Sequence, residues 1–236
     1  MPNEHYDLFL DESGNFQDRN NPRCSVVGGV FAQAGLLTNA LSEQILRETH
    51  QEVDLDFPQD GTVHSTEISS ELFPSFALTL LKHLKSHQIQ PVIFENEERA
   101  EIVNPDITYI HLLAEGVARF FTSTSSFGTT TTLNVIAARR MGTDGKNQDY
   151  LKRIPEKEYL PRIQERLDLA FLYFGMKEHK KKWMLNSFTL DSARTDYRLM
   201  IADCICHAWY TRHTKFNEEE RQVLEGELDG YHFAFF

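Results

Sequence analysis

The sequence is poor in cysteine, with Cys24, Cys204 and Cys206 alone among 236 residues. Three is too few, and an odd number, for the disulfide framework of a secreted domain, so a reducing, cytoplasmic setting is expected. Cys204 and Cys206 stand beside His207 and suggest a zinc site at first sight. Side chains two apart on a helix diverge, however, so ordinary buried thiols are the simpler reading. Positive charge is also scarce: 24 Lys and Arg against 35 Asp and Glu leave a formal net charge of −11. That balance argues against a surface built for tight, nonspecific nucleic-acid binding, which demands a basic face. It leaves room for an acidic pocket that presents positive charge locally once divalent cations fill it. The opening MPNEHYD lacks the basic start and apolar core of a signal peptide. No apolar run reaches the length of a membrane span, so a soluble protein without a membrane partner is expected. Linkers, repeats and low-complexity stretches are missing too, which reads as one domain over residues 1–236. The apolar ending HFAFF resembles the middle of an element, so the natural chain is expected to continue.

What is present is an ordinary globular composition, 41% hydrophobic and 25% charged, sufficient for a packed core. Tyr6 to Leu10 and Cys24 to Ala32 read as strands, the second bulged at its Gly28-Gly29 pair. Leu37, Leu41 and Ile45 recur at helical spacing, predicting a helix from Leu36 to Val53. A later helix carries Leu78, Leu81 and Leu84. The second half alternates: strand Ile89–Glu95, helix Ile107–Phe121, strand Thr131–Arg140, helix Tyr159–Phe174, strand Trp183–Leu190, and a last helix from Tyr197 to Arg212. Strands followed by alternating strands and helices predict an α/β fold, a mixed β-sheet flanked by helices.

The carboxylates carry the chemistry. Asp11 and Glu12 end the first apolar run, just before the turn-forming Ser13-Gly14-Asn15. Neighbours on a strand face opposite ways, so one of the two at most is a first-choice metal ligand. Asp203 sits in the strongly apolar stretch LMIADCICHAW, where an unpaired buried carboxylate would be costly. It needs a cation, a hydrogen-bond network, a route to the surface, or a partner such as Arg198 or His207. Glu67, in His64-Ser65-Thr66-Glu67, reads as the start of a helix capped by Ser65 or Thr66. Glu95 closes a strand, with a solvated strand end as the alternative reading. Asp191 precedes the last helix, which Asp191 or Thr195 would cap. In an alternating architecture such strand ends and helix starts gather at one edge of the sheet. Carboxylates gathered there suit two hard cations such as Mg²⁺, which activate a water and stabilise the leaving oxygen of a phosphodiester.

The order of these motifs, DESG closing the first strand, HSTE, VIFEN, a strand ending in Arg139-Arg140, and LDSARTDYRLMIAD, resembles the family known as domain of unknown function 3800. The resemblance runs from Tyr6 to about Trp209. It implies a ribonuclease-H-like mixed sheet flanked by helices and a metal-dependent nuclease activity on RNA or DNA. It also implies a setting in mobile-element or phage defence. Asp11, Glu67 and Asp203 match the family's acidic positions, and Glu95 stands where a strand-end aspartate is common. Two positions depart from the pattern. Ala138 stands where an aspartate often precedes the basic pair, and Leu199-Met200-Ile201 replaces leucine-glutamine-leucine.

The resulting expectation is a Mg²⁺- or Mn²⁺-dependent nuclease. Asp11, Glu67 and Asp203 are its metal ligands, with Asp191 or Glu95 completing the cluster. His64 relays a proton, and Glu12 is in support. Arg139, Arg140, Lys180 and Lys181 contact the phosphates of a nucleic-acid substrate. The alternative, motivated by Ala138 and the acidic surface, is a catalytically reduced ribonuclease-H-like module that binds a protein partner. A small-molecule phosphatase or phosphodiesterase is a third reading.

Overall fold

Strand β1 (Glu4–Ser13) anchors the sheet and pairs on both sides. The computed structural model describes residues 4–14, 25–96, 112–117, 119–120, 130–138, 161, 164–166, 168–169 and 182–235. After β1 come β2 (Ser25–Gln33), α1 (Asn39–Glu52), α2 (Phe73–Ser86), β3 (Gln90–Asn96), β4 (Thr130–Ala138) and β5 (Lys182–Asp191). Two helices, α3 (Tyr197–Lys215) and α4 (Glu218–Leu228), and strand β6 (His232–Phe235) complete the described part. The fold is α/β, a mixed six-stranded sheet in the order β5-β4-β1-β2-β3-β6 flanked by helices. Strand β2 runs antiparallel to β1 and β3, whereas β4 is parallel to β1, β5 to β4, and β6 to β3.

Alternation along the strands separates two cores. Leu8, Leu10, Val27 and Phe31 face one side, packed with Leu112, Leu113, Val117 and Phe120 of a helical stretch. Phe9, Val26, Val30 and Ile93 face the other, where α1, α2 and α3 pile onto the sheet. Helix α3 is the middle layer. Leu199, Ile201, Ala202, Cys204, Ile205, Cys206 and Ala208 are all buried, the pattern of a helix covered nearly all round.

The glycine pair of β2 lets α3 come this close. A Cβ on Gly28 would lie 2.7 Å from Ile93 Cδ1 and 3.5 Å from Cys206 Cα. One on Gly29 would collide with the carbonyl oxygen of Phe9 and sit 3.1 Å from Ala202 Cβ. The pairing of β2 with β1 and β3 continues residue by residue through both glycines, so the expected bulge is not there. The irregularity falls instead between β4 and β5, where Asn186 is the extra residue between pairs Leu133–Leu185 and Asn134–Ser187.

Three further expectations change. Strand β1 does not stop at Leu10: Asp11, Glu12 and Ser13 remain paired with Gly28, Val27 and Val26. Helix α2 begins at Phe73, with Pro74 in its first turn, so Glu67 does not start it. Helix α4 and strand β6 follow the last expected helix. Asn217 and Glu220 cap α4 reciprocally, a signature that the stretch NEEE carries openly. The other strand expectations, the first helix and the last expected helix coincide with elements to within a few residues, whereas the expected Ile107–Phe121 and Tyr159–Phe174 helices lie partly outside the described residues, of which 112–117, 119–120, 161, 164–166 and 168–169 are helical. No helix among the described residues is long and apolar enough to cross a membrane.

Candidate active site

Asp11, Ala138 and Asp191 lie in one row across the sheet. The β1–β4 register ends at Leu10–Ala137, so one residue further aligns Asp11 with Ala138, which itself pairs with Asp191. Residues paired across strands face the same way, and Ala138 belongs to the core on the α3 side. With strands ~4.8 Å apart, the Asp11 and Asp191 backbones stand roughly 10 Å from each other across Ala138. Ala138 and Asp191 are the last residues of β4 and β5, and Asp11 stands two residues before the end of β1, which runs parallel to β4. Glu12, paired with Val27, is directed to the opposite face.

Helix α3, which carries Asp203, packs on the sheet beside this row. Cys206, one turn further along α3, rests on Gly28, the residue paired with Asp11. Burial pushes the thiols of Cys204 and Cys206 well above their ordinary range, and the charges of both Asp203 and Asp11 push them further.

Asp203 is only partly covered as a residue, yet its carboxyl group is desolvated. That desolvation raises its pKa above the usual carboxylate value, opposed by hydrogen bonds from Ser65 and by the charge of His64. The Ser65 N–H donates to Oδ2 at 2.9 Å and the Ser65 hydroxyl to Oδ1 at 3.0 Å. Ser65 is fully buried. Ser65 caps no helix, since the next one begins at Phe73; both its donors are engaged by a carboxylate from another element. Arg198 and His207, the partners expected for Asp203, are committed elsewhere. Arg198 forms a two-bond pair with Asp196, from Nε to Oδ1 and from Nη2 to Oδ2, each 2.8 Å. The Lys215 ammonium lies 3.1 Å from His207 Nε2. Lysine only donates, so that nitrogen accepts and the ring proton is on Nδ1.

The remaining candidates divide. His64 is half-buried beside Ser65, and Glu67 is exposed, its N–H donating to the His64 carbonyl across a turn at 2.9 Å. Asp191 is exposed and accepts the N–H of Ser192 at 2.7 Å. The cap of α3 is Asp196, which accepts the Arg198 N–H, and neither Asp191 nor Thr195 fills that role. Glu95 is no solvated strand end, being only 4% exposed. Its carboxylate receives Trp209 Nε1 at 2.8 Å, Arg212 Nη2 at 2.9 Å and His232 Nε2 at 2.7 Å. Arg139, Arg140, Lys180 and Lys181 lie outside the described residues. Among the described residues, no group of three or more His, Cys, Asp and Glu side chains is gathered closely enough to hold a metal ion.

Two contributors escaped the sequence reading. Ser65 was visible only as a helix cap, and no local pattern links it to a residue 138 positions away. Arg198 carried a weak signal, an aspartate two residues before an arginine at a helix start. No protein-family model matches the chain, and no curated protein matches it.

Proposed function

We propose that this chain is a divalent-metal-dependent nuclease that hydrolyses phosphodiester bonds of RNA or DNA. The strand order β3-β2-β1-β4-β5, with β2 alone reversed, supports a ribonuclease-H-like reading of the sheet. The observation that supports the proposal is the packing of α3, which carries Asp203, on Gly28, the residue paired with Asp11 on β1. Asp191 stands in the same row.

The donor set fits Mg²⁺ or Mn²⁺ chemically, because these cations prefer carboxylate oxygens. Asp203 fits best. Its carboxyl is desolvated, so a cation would offset the cost of its charge. Ser65 takes one acceptor site on each oxygen, and a carboxylate has about four. Asp11 and Asp203 would hold the ion, with Asp191 and the exposed Glu67 as further oxygen donors. Bound there, a divalent ion supplies an acidified water and charge neutralisation at the phosphate. The chain's own residues do the rest: Ser65 fixes the orientation of Asp203, and His64 relays a proton. Arg139, Arg140, Lys180 and Lys181 remain our candidates for backbone phosphates. Glu95 is assigned to the buried network with Arg212, Trp209 and His232, and Glu12 to support from the far face.

The test is cleavage of single-stranded and duplex RNA, DNA and hybrid substrates with Mg²⁺ or Mn²⁺. Wild type should cut at least one class, and Asp11→Asn and Asp203→Asn should not. Cleavage by neither wild type nor any metal form, or by both variants at the wild-type rate, disproves the mechanism. One observation favours a second reading, a catalytically reduced module that binds a protein: Ala138 puts a methyl group in the middle of the carboxylate row. That reading predicts no divalent-ion heat in calorimetry and a specific partner in pull-down.

A further inference from the structure

A second charged group stands at the same sheet face. Arg198, on the first turn of α3, has its Cζ 4.7 Å from the centroid of the Phe9 ring. Phe9 is two residues before Asp11 on β1 and shares its face, so the ring under the guanidinium belongs to a residue about 7 Å, two residues' rise along the strand, before the carboxylate row. Its orientation is fixed twice, by the ring beneath it and by the two-bond pair with Asp196. Asp196 is itself buried at 4% exposure. The pair with Asp196 is the largest influence holding the guanidinium charged, and the charges of Asp7 and Asp191 add to it. Nε and Nη2 are spent on Asp196, whereas Nη1 has no hydrogen-bond partner among the described residues, and the side chain is 30% exposed.

A guanidinium held in one orientation with one edge unclaimed is suited to an anionic oxygen. We infer that Arg198 is a phosphate-positioning residue, its Nη1 edge binding a non-bridging oxygen of a nucleic-acid backbone beside the Asp11–Asp191 row. The inference rests on the nuclease reading above for the identity of the anion. It adds a residue that the family resemblance does not supply.

The experiment measures binding of fluorescein-labelled single-stranded RNA and DNA to the full chain by anisotropy over a salt series, with cleavage followed in parallel. Arg198→Gln should weaken binding about tenfold, the loss of roughly one charge-assisted hydrogen bond. It should also reduce the slope of log Kd against log salt by ~0.7, as one lost phosphate contact does for a single strand. Arg198→Lys keeps the charge and the aliphatic stem over Phe9. It should retain the wild-type salt slope and bind about threefold more weakly, because an ammonium lacks the guanidinium's second edge. A role confined to packing on Phe9 would lower Tm without moving the salt slope. Wild-type Kd and slope in Arg198→Gln overturn the inference while leaving the nuclease reading intact. If that variant does not fold, Arg198→Lys decides alone: a weakened Kd supports the inference and a wild-type Kd overturns it. Binding without cleavage in wild type overturns the nuclease reading and leaves Arg198 to be judged on Kd. No binding by wild type overturns both.

Discussion

At the scale of single residues, Asp203 pays for its position, and Ser65 returns only part of the cost. Burial disfavours the charged form, and two hydrogen bonds and the His64 charge do not fully reverse this. Asparagine at 203 keeps the shape, accepts the Ser65 N–H through its carbonyl, and offers an amide N–H to the Ser65 hydroxyl. Asp203→Asn should therefore raise Tm near neutral pH by ~2–4 °C, the shift that ~1 kcal/mol produces in a chain of this size. The same variant should lose metal-dependent cleavage. Stability gained as activity is lost marks a residue kept for function; a drop in Tm measured by calorimetry would instead make Asp203 a structural anchor for the Ser65 loop. The need for a partner was legible in the apolar neighbours of Asp203. Its identity was not, because nothing local distinguishes a serine that caps a helix from one that binds a carboxylate across the fold.

At the scale of elements, α3 is the carrier of the site, and it is pinned at both ends. Asp196 caps and pairs at its start. Near its end, Arg212 and Trp209 reach Glu95 on β3, and His232 reaches the same carboxylate from β6. Arg212 also stacks over the Trp209 ring, 4.2 Å from its centroid. The Glu95 and Arg212 side chains are only 5% and 14% exposed, so removing Glu95 leaves Arg212 with the longer 3.8 Å approach to Glu225 as its ion pair. Glu95→Ala should cost ~3–5 kcal/mol in chemical denaturation, as for other broken buried pairs. Activity per folded molecule, assayed well below the lowered Tm, should stay near wild type. If activity vanishes with the fold intact, Glu95 belongs to the catalytic set. The elements themselves were largely legible, since period-2 and period-3.6 apolar patterns differ plainly in β1, α1 and α2, and the long apolar run of α3 exceeds a strand's length. The start of α2 was not: a serine-threonine-glutamate run is a good capping sequence, and tertiary demand on Ser65 overrode it. Strand β6 is four residues long, too short to declare itself by alternation.

At the scale of the whole molecule, acid acts through groups of opposite sign. The row of Asp11, Ala138 and Asp191 was not readable before the register was known, because three residues spread over 181 positions align only when β4 lies between β1 and β5. The histidines show the same dependence on tertiary context. Burial, followed by the Lys215 charge, lowers the pKa of His207 to about 4. Burial lowers that of His50 as well, against the Leu46 carbonyl that its Nδ1 contacts at 2.7 Å. Above the ordinary histidine value of ~6.5 both rings are neutral in folded and unfolded chains and contribute no pH dependence. Below it the unfolded chain binds protons that the folded chain refuses, so stability falls as pH drops from ~6.5 towards the folded value of about 4. Asp203 acts in the other direction. Its folded pKa is raised, so the folded chain takes a proton first and gains stability as pH falls through that raised value towards the usual aspartate range. His207→Gln separates the two, because glutamine still accepts from Lys215 and does not titrate. Urea denaturation from pH 7.5 down to about 4.5, fitted for wild type and variant, should show equal pH dependence above ~6.5 and a shallower decline in the variant below it. The difference should approach one proton per molecule in the acid limb. Parallel curves throughout that range would mean that His207 is protonated in the folded chain, with Lys215 turned away from its ring.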